Sequence, residues 1–303
     1  MNTYYKYTKY FGLDSIANCY LRLSTPATLN DPFEAEINEI VESNITSALE
    51  KDPIFHNGFR QGMNPELIKK VISNSITNTI NDFGIVALSE TPRNLLMWAH
   101  YANEHQGICI GFKKDMFNKK HDAVDPIIES YIPLKVNYDN IRPQVIENIV
   151  NARDVKRHHI RQQLLTKSND WIYEKEHRCI IPIRHADRIK LLNDHPKHSF
   201  IRDFIEHEEL QEVEDSVFEG SAIGDLIPLF YDNKNALFLK SVDISKIESV
   251  YIGCKFPLQQ KKELIDAFRK EDSKFNHIKL YECHVSKTHF ELELNILNPL
   301  KNN

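Results

Sequence analysis

The stretch Trp171-Ile-Tyr-Glu-Lys-Glu-His-Arg-Cys-Ile-Ile sets two carboxylates and a guanidinium at alternate positions. Extended as a strand, it places Ile172, Glu174, Glu176, Arg178 and Ile180 on one face. Trp171, Tyr173, Lys175, His177 and Cys179 take the other. Two readings fit these residue types. Arg178 neutralises both glutamates in a salt-bridge lattice, or it holds a carboxylate ionised beside a cation developing on a sugar.

A second group spans Ser89-Glu90-Thr91 and the helix beginning near Arg93. Thr91 reads as its N-cap, Pro92 as its first residue and Gly107 as its stop. At helical spacing Leu95, Ala99 and Ala102 share one stripe, Met97, His100 and Glu104 a second, and Trp98, Tyr101 and His105 a third. A helix apolar or aromatic nearly all round is expected to be buried. Its histidines, tyrosine and glutamate must then find partners. Ser89 closes an apolar strand before a helix N-terminus, where backbone N–H groups attract an anion.

The third group is Asn30-Asp31-Pro32-Phe33-Glu34. Asn30 and Asp31 suit a turn that they cap themselves. Glu34, just beyond it, is placed to reach a pocket. His195 and His198 offer metal-like spacing without a third ligand, so no metal site is expected there.

These groups must be positioned by an α+β fold. Strands are expected at Tyr4–Tyr7, Leu21–Leu23, Phe83–Leu88, Gly107–Phe112, Leu134–Tyr138, Trp171–Ile183, Ile247–Ile252, Ile278–His284 and Phe290–Ile296. Helices are expected from Leu13 to Tyr20, from Arg93 to Gln106, and from Leu258 to Phe268. With no dividing linker, the chain reads as one mixed-sheet domain over 1–303. Helical insertions are expected near 36–82 and 140–168, the second with a basic stretch Arg153–Arg161, and an acidic, solvated insertion near 200–225. The 303 residues carry a net charge of −5, which argues against a broad basic surface for nucleic acid. No apolar run approaches the roughly 20 residues of a membrane helix. The N-terminus lacks the apolar core of a signal peptide, and five dispersed cysteines suit free thiols in a reducing cytoplasm.

The segments Asn30–Glu34, Ser89–Gly107 and Trp171–Arg178 resemble the three motifs of a bacterial family catalogued as domain of unknown function 2971. A more distant likeness is to ADP-ribosyltransferases, through Lys6 or Tyr7, Ser89 with its helix, and Glu174-Lys175-Glu176. The first motif departs from that pattern, because Tyr4–Tyr7 has neither the usual Arg nor the usual His, unless Arg22 or a helix residue substitutes. The likeness implies NAD as substrate, a nucleic-acid or protein acceptor, and an effector role as a toxin or in phage defence. It implies Glu176 as the charge-stabilising carboxylate and Glu174 as the residue steering the acceptor. Trp98 or Tyr101 would stack on the ligand, and Arg93 or Arg178 would hold its pyrophosphate. Two alternatives stand beside it. One is a metal-dependent phosphodiester or nucleotide hydrolase using Asp31, Glu34, His100, Glu174 and Glu176. The other is a non-catalytic nucleotide sensor.

Overall fold

A computed structural model of the chain describes residues 2–36, 38–50, 64–117, 124–142, 152–192, 198–270 and 272–297. The strands are β1 Thr3–Thr8, β2 Cys19–Arg22, β3 Phe83–Ser89, β4 Ile108–Lys113, β5 Ser130–Lys135, β6 Asn137–Tyr138, β7 Thr166–Lys167 and β8 Glu176–Pro182. They continue as β9 Arg188–Leu191, β10 Leu210–Glu214, β11 Val217–Gly220, β12 Ala236–Val242, β13 Ile247–Ile252, β14 Lys279–Val285 and β15 Leu292–Ile296. The helices are α1 Asp14–Ala17, α2 Glu39–Glu50, α3 Pro65–Asn81, α4 Leu95–Tyr101, α5 Ala152–Leu164, α6 His198–Glu206, α7 Ile227–Phe230 and α8 Leu258–Arg269.

The protein is α+β. Eight strands form a curled mixed sheet in the order β15-β14-β13-β4-β1-β3-β8-β5, in which β13 and β14 run parallel. Five more form an antiparallel sheet, β10-β11-β9-β12-β2. The largest core cluster draws on both, joining Ile189, Phe218 and Phe238 to Val86, Ile110, Ile181 and Val250. A single bridge between Ser24 and Ile85 ties the chain just beyond β2 to β3.

Strands β3 and β8 sit inside the large sheet, and every residue of β8 is buried. That burial selects the apolar run Cys179–Ile181. Helices α2, α3 and α5 supply a second cluster against them. Ile72, Ile76 and Ile80, four residues apart on α3, meet Val41, Ile45, Ile160, Leu164 and Ile180. Asn64 caps α3 by accepting the Glu66 N–H at 2.9 Å, with Pro65 at the first helical position.

Several expectations shift. The helix expected from Leu13 to Tyr20 ends at Ala17, and β2 begins at Cys19, because Cys19 and Leu21 alternate into the core against β12. Thr91 is not the N-cap of the helix in the second group. Asn94 is, accepting from Leu96 and Met97, and the helix runs only from Leu95 to Tyr101. It ends because Asn103, Glu104 and His105 all adopt left-handed φ. Gly253 lies beneath that turn, where a Cβ would meet the His105 carbonyl oxygen at 2.0 Å. The strand expected from Trp171 begins only at Glu176; Asn169–Glu174 is a 3₁₀ turn closed by Lys175 at φ 47°. The acidic insertion is α6 followed by the β10–β11 hairpin, with Glu206, Glu208, Glu209, Glu212 and Glu214 exposed. His195, residues 51–63 of the first helical insertion and residues 143–151 of the second lie outside the described residues. Among those described, no helix is long and apolar enough to cross a membrane.

Candidate functional site

Register brings the end of β3 and the start of β8 beside the middle of β1. Ser89 pairs with Tyr5 on one side and with Glu176 on the other. Ser89 is fully buried, and its hydroxyl donates to the Glu174 carbonyl at 2.8 Å. The left-handed Lys175 reverses the chain between the two glutamates. Both therefore reach one cation, Lys167 on β7, whose Nζ lies 2.7 Å from Glu174 Oε2 and 3.2 Å from Glu176 Oε2. The two acids converge as expected, through a turn and not through strand alternation.

They line a cleft of about 210 Å³ with Tyr5, Lys6, Arg22, Asn30, Glu34, Ser89, Met97, Tyr101, Lys167 and Arg178. Its two halves differ. In the first, Arg178 is 1% exposed and saturated. Its Nε donates to Glu176 at 2.7 Å, Nη1 to Glu34 at 2.8 Å and to the Leu164 carbonyl at 2.7 Å, and Nη2 to both carboxylates. With all its nitrogens bonded to protein, Arg178 has no donor left for a pyrophosphate. It pairs Glu176 and Glu34, so the lattice does not embrace both members of the 174/176 pair.

In the second half, Tyr101 donates its hydroxyl to Glu174 Oε1 at 2.5 Å. In the same cleft, Lys6 Nζ has one bond to the described residues, to the Ala87 carbonyl at 2.9 Å. Arg22 makes no side-chain hydrogen bond or ion pair with the described residues, and its Nε is buried without a partner. Burial pulls both cations down, and their mutual repulsion lowers Lys6 further against the pull of Glu176 and Glu174.

The acids are pushed apart. Burial, reinforced by Glu176, raises Glu174 against the pull of Lys167. Burial works on Glu176 too, but Arg178 and then Lys167 outweigh it and hold that carboxyl down to about 2. Burial and the bond to Glu174 raise Tyr101, while a hydrogen bond with Asn30 opposes them. The pair thus holds one carboxyl that stays ionised and one disposed to carry a proton.

A family model described as "Protein of unknown function (DUF2971)" matches residues 97–179. That stretch contains Trp98, His100, Tyr101, Lys167, Glu174, Glu176 and Arg178, while Asn30–Glu34 and Ser89 lie outside it. No curated protein and no solved structure matches the chain.

Other expected site residues take different positions. Trp98 is fully buried, edge-on to Tyr7 at 5.3 Å, with its Nε1 donating to the Pro92 carbonyl at 2.8 Å. It is a core residue and offers no face to a ligand. The helix carrying it is not buried all round: Leu95 and Leu96 are exposed, as is His100, which does not line the cleft. Arg93 is exposed and also outside the cleft lining. Ser89 lies six residues before α4, so no helix N-terminus stands behind it. Lys167 is the residue that sequence reasoning missed. Its signal was weak, one lysine closing a stretch already rich in basic residues. The cysteines are free, and Cys19, Cys109, Cys179 and Cys283 are buried.

Proposed function

We propose that the cleft binds the ribosyl-phosphate part of an NAD-type nucleotide and breaks the bond between its ribose and nicotinamide. The observation that carries this reading is Arg22 and Lys6, cations without a carboxylate partner among the described residues, lining one cavity with Glu174 and Tyr101. Two desolvated cations side by side call for an anion, and a phosphate supplies it. Acids whose affinities for a proton are split supply what a ribosyl transfer needs.

The roles divide by geometry. Glu176 is buttressed by Arg178 and Lys167, so it fixes Lys167 and keeps negative charge beside the reacting sugar. Glu174 is the better placed for proton transfer, because Tyr101 and Lys167 alone share its oxygens. As the C1′–N bond breaks, nicotinamide leaves with the bonding pair and the ribose gains oxocarbenium character. The acceptor hydroxyl or amine forms the new bond at C1′, and its proton passes to Glu174. Water in that place gives hydrolysis. Arg22 takes the place of the first-motif Arg that the sequence lacks on β1.

The metal-dependent hydrolase has less support. It needs Glu34 and Glu176 as metal ligands, and both are already bonded to Arg178. No cluster of three or more His, Cys, Asp or Glu suited to a metal occurs among the described residues. A non-catalytic sensor shares the anion site and differs only in turnover. Incubating the purified protein with NAD and a cell extract, with mass spectrometry of released nicotinamide and of ADP-ribose adducts, tests the reading. Wild type is expected to release nicotinamide and Glu174→Gln to bind ADP-ribose without turnover. Binding of ADP-ribose with no nicotinamide release by wild type would favour the sensor.

A further inference from the structure

The segment Asn30–Glu34 puts its aromatic residue where a core aromatic would not be. Phe33 is 57% exposed, yet its turn is firmly held. Asp31, 5% exposed, accepts the Phe33 N–H at 2.9 Å on its side chain and the Glu34 N–H at 3.2 Å on its carbonyl. Glu34 is clamped by Arg178. A buried acid on each side of Phe33 fixes the backbone that presents the ring outward.

Beside it is a second cavity of about 180 Å³, lined by Phe33, Asn140, Ile141, Arg142 and Gln163. It shares Glu34 and Lys167 with the first. The Arg142 guanidinium lies 5.8 Å from the Phe33 ring centre, and Ile141 is 63% exposed. The Gln163 amide nitrogen donates to the Glu36 carbonyl at 2.6 Å, which leaves its side-chain oxygen to accept from a ligand. The Asn140 side-chain oxygen accepts the Asn169 N–H at 3.4 Å, which leaves its amide nitrogen to donate. An aromatic face with one free acceptor and one free donor beside it matches an aminopurine, which stacks and offers both an amine and a ring nitrogen. Ligand pockets commonly run from about 300 to 1,000 Å³, so each lobe alone is small and the two together fall within that span.

We infer that this second lobe takes the adenine-type base of the nucleotide whose ribosyl end occupies the first. The inference rests on the reading above and deepens it by naming the ligand's other half. Phe33 stacks on the base, and the Asn140 and Gln163 amides meet its edge.

Calorimetric titration with ADP-ribose and with ribose 5-phosphate separates the two ideas. Phe33→Ala is expected to bind ADP-ribose about tenfold more weakly while ribose 5-phosphate binds as in wild type, and Phe33→Trp to restore the loss. Phe33 is largely exposed, so its removal leaves the core as it is. Equal ADP-ribose affinity in wild type and Phe33→Ala would overturn the base lobe and leave the ribosyl site standing. Wild type binding neither compound would remove the ribosyl site itself, and the base lobe with it.

Discussion

Two halves of one cleft handle charge in opposite ways. Around Arg178 every donor has an acceptor, and two carboxylates share one guanidinium within the fold. Around Arg22 and Lys6 the described residues offer the two cations one backbone acceptor between them. Completing a buried polar network stabilises a structure and leaves it nothing to offer a ligand. A desolvated cation without a partner costs stability and is kept where something else neutralises it. The difference therefore divides the residues that build the site from those that use it.

The largest way to test that division is to break the saturated half. Arg178→Met strands Glu34 without its cation and leaves Glu176 with Lys167 alone, and unfolding by urea is expected to show a loss of about 3–5 kcal/mol. Glu176→Gln removes an ionised partner of Arg178 and Lys167 and is expected to cost about 2 kcal/mol at neutral pH.

The acids themselves give a sharper contrast with pH. Glu176 titrates below its ordinary 4.5, near 2 when folded. Its contribution to stability is complete above pH 4.5 and is lost as pH falls towards 2. Glu174 is shifted upward, so its contribution is complete below its ordinary value and declines as pH rises through the raised one. Urea midpoints measured from pH 2 to 7 are expected to lose part of their acid-side fall in Glu176→Gln and to keep it in Glu174→Gln. The smallest stability effect is expected at Arg22. Arg22→Ala should change the unfolding free energy by no more than about 0.5 kcal/mol, or raise it, since no partner is lost.

How much of this could be read from the chain follows the same division. Strands β1, β3, β4, β13 and β14 and helix α8 were legible because their apolar residues recur at the period of the element. Of the second sheet only β2 was, as the strand expected at Leu21–Leu23. The alternation of β12 was overlooked, and β9 to β11 are short strands in a charged stretch. Glu174, Glu176, Tyr101, Ser89, Asn30 and Glu34 meet at one cleft, as three segments with concentrated polar residues suggested. Trp98 and His100 do not, because one helix turn cannot show from sequence which side faces the sheet. Lys167 was hidden since its partners lie 7 and 9 positions away, the second beyond a left-handed Lys175 that no local pattern announces.

The central claim is that Arg22 and Lys6, without a carboxylate partner among the described residues, hold an anionic nucleotide. Calorimetric titration of ADP-ribose into wild type and Arg22→Ala at low and high salt tests it most directly. The account predicts binding by wild type that weakens with salt, and a loss of about tenfold or more in Arg22→Ala with its unfolding free energy preserved. Equal affinity in the two proteins would contradict it.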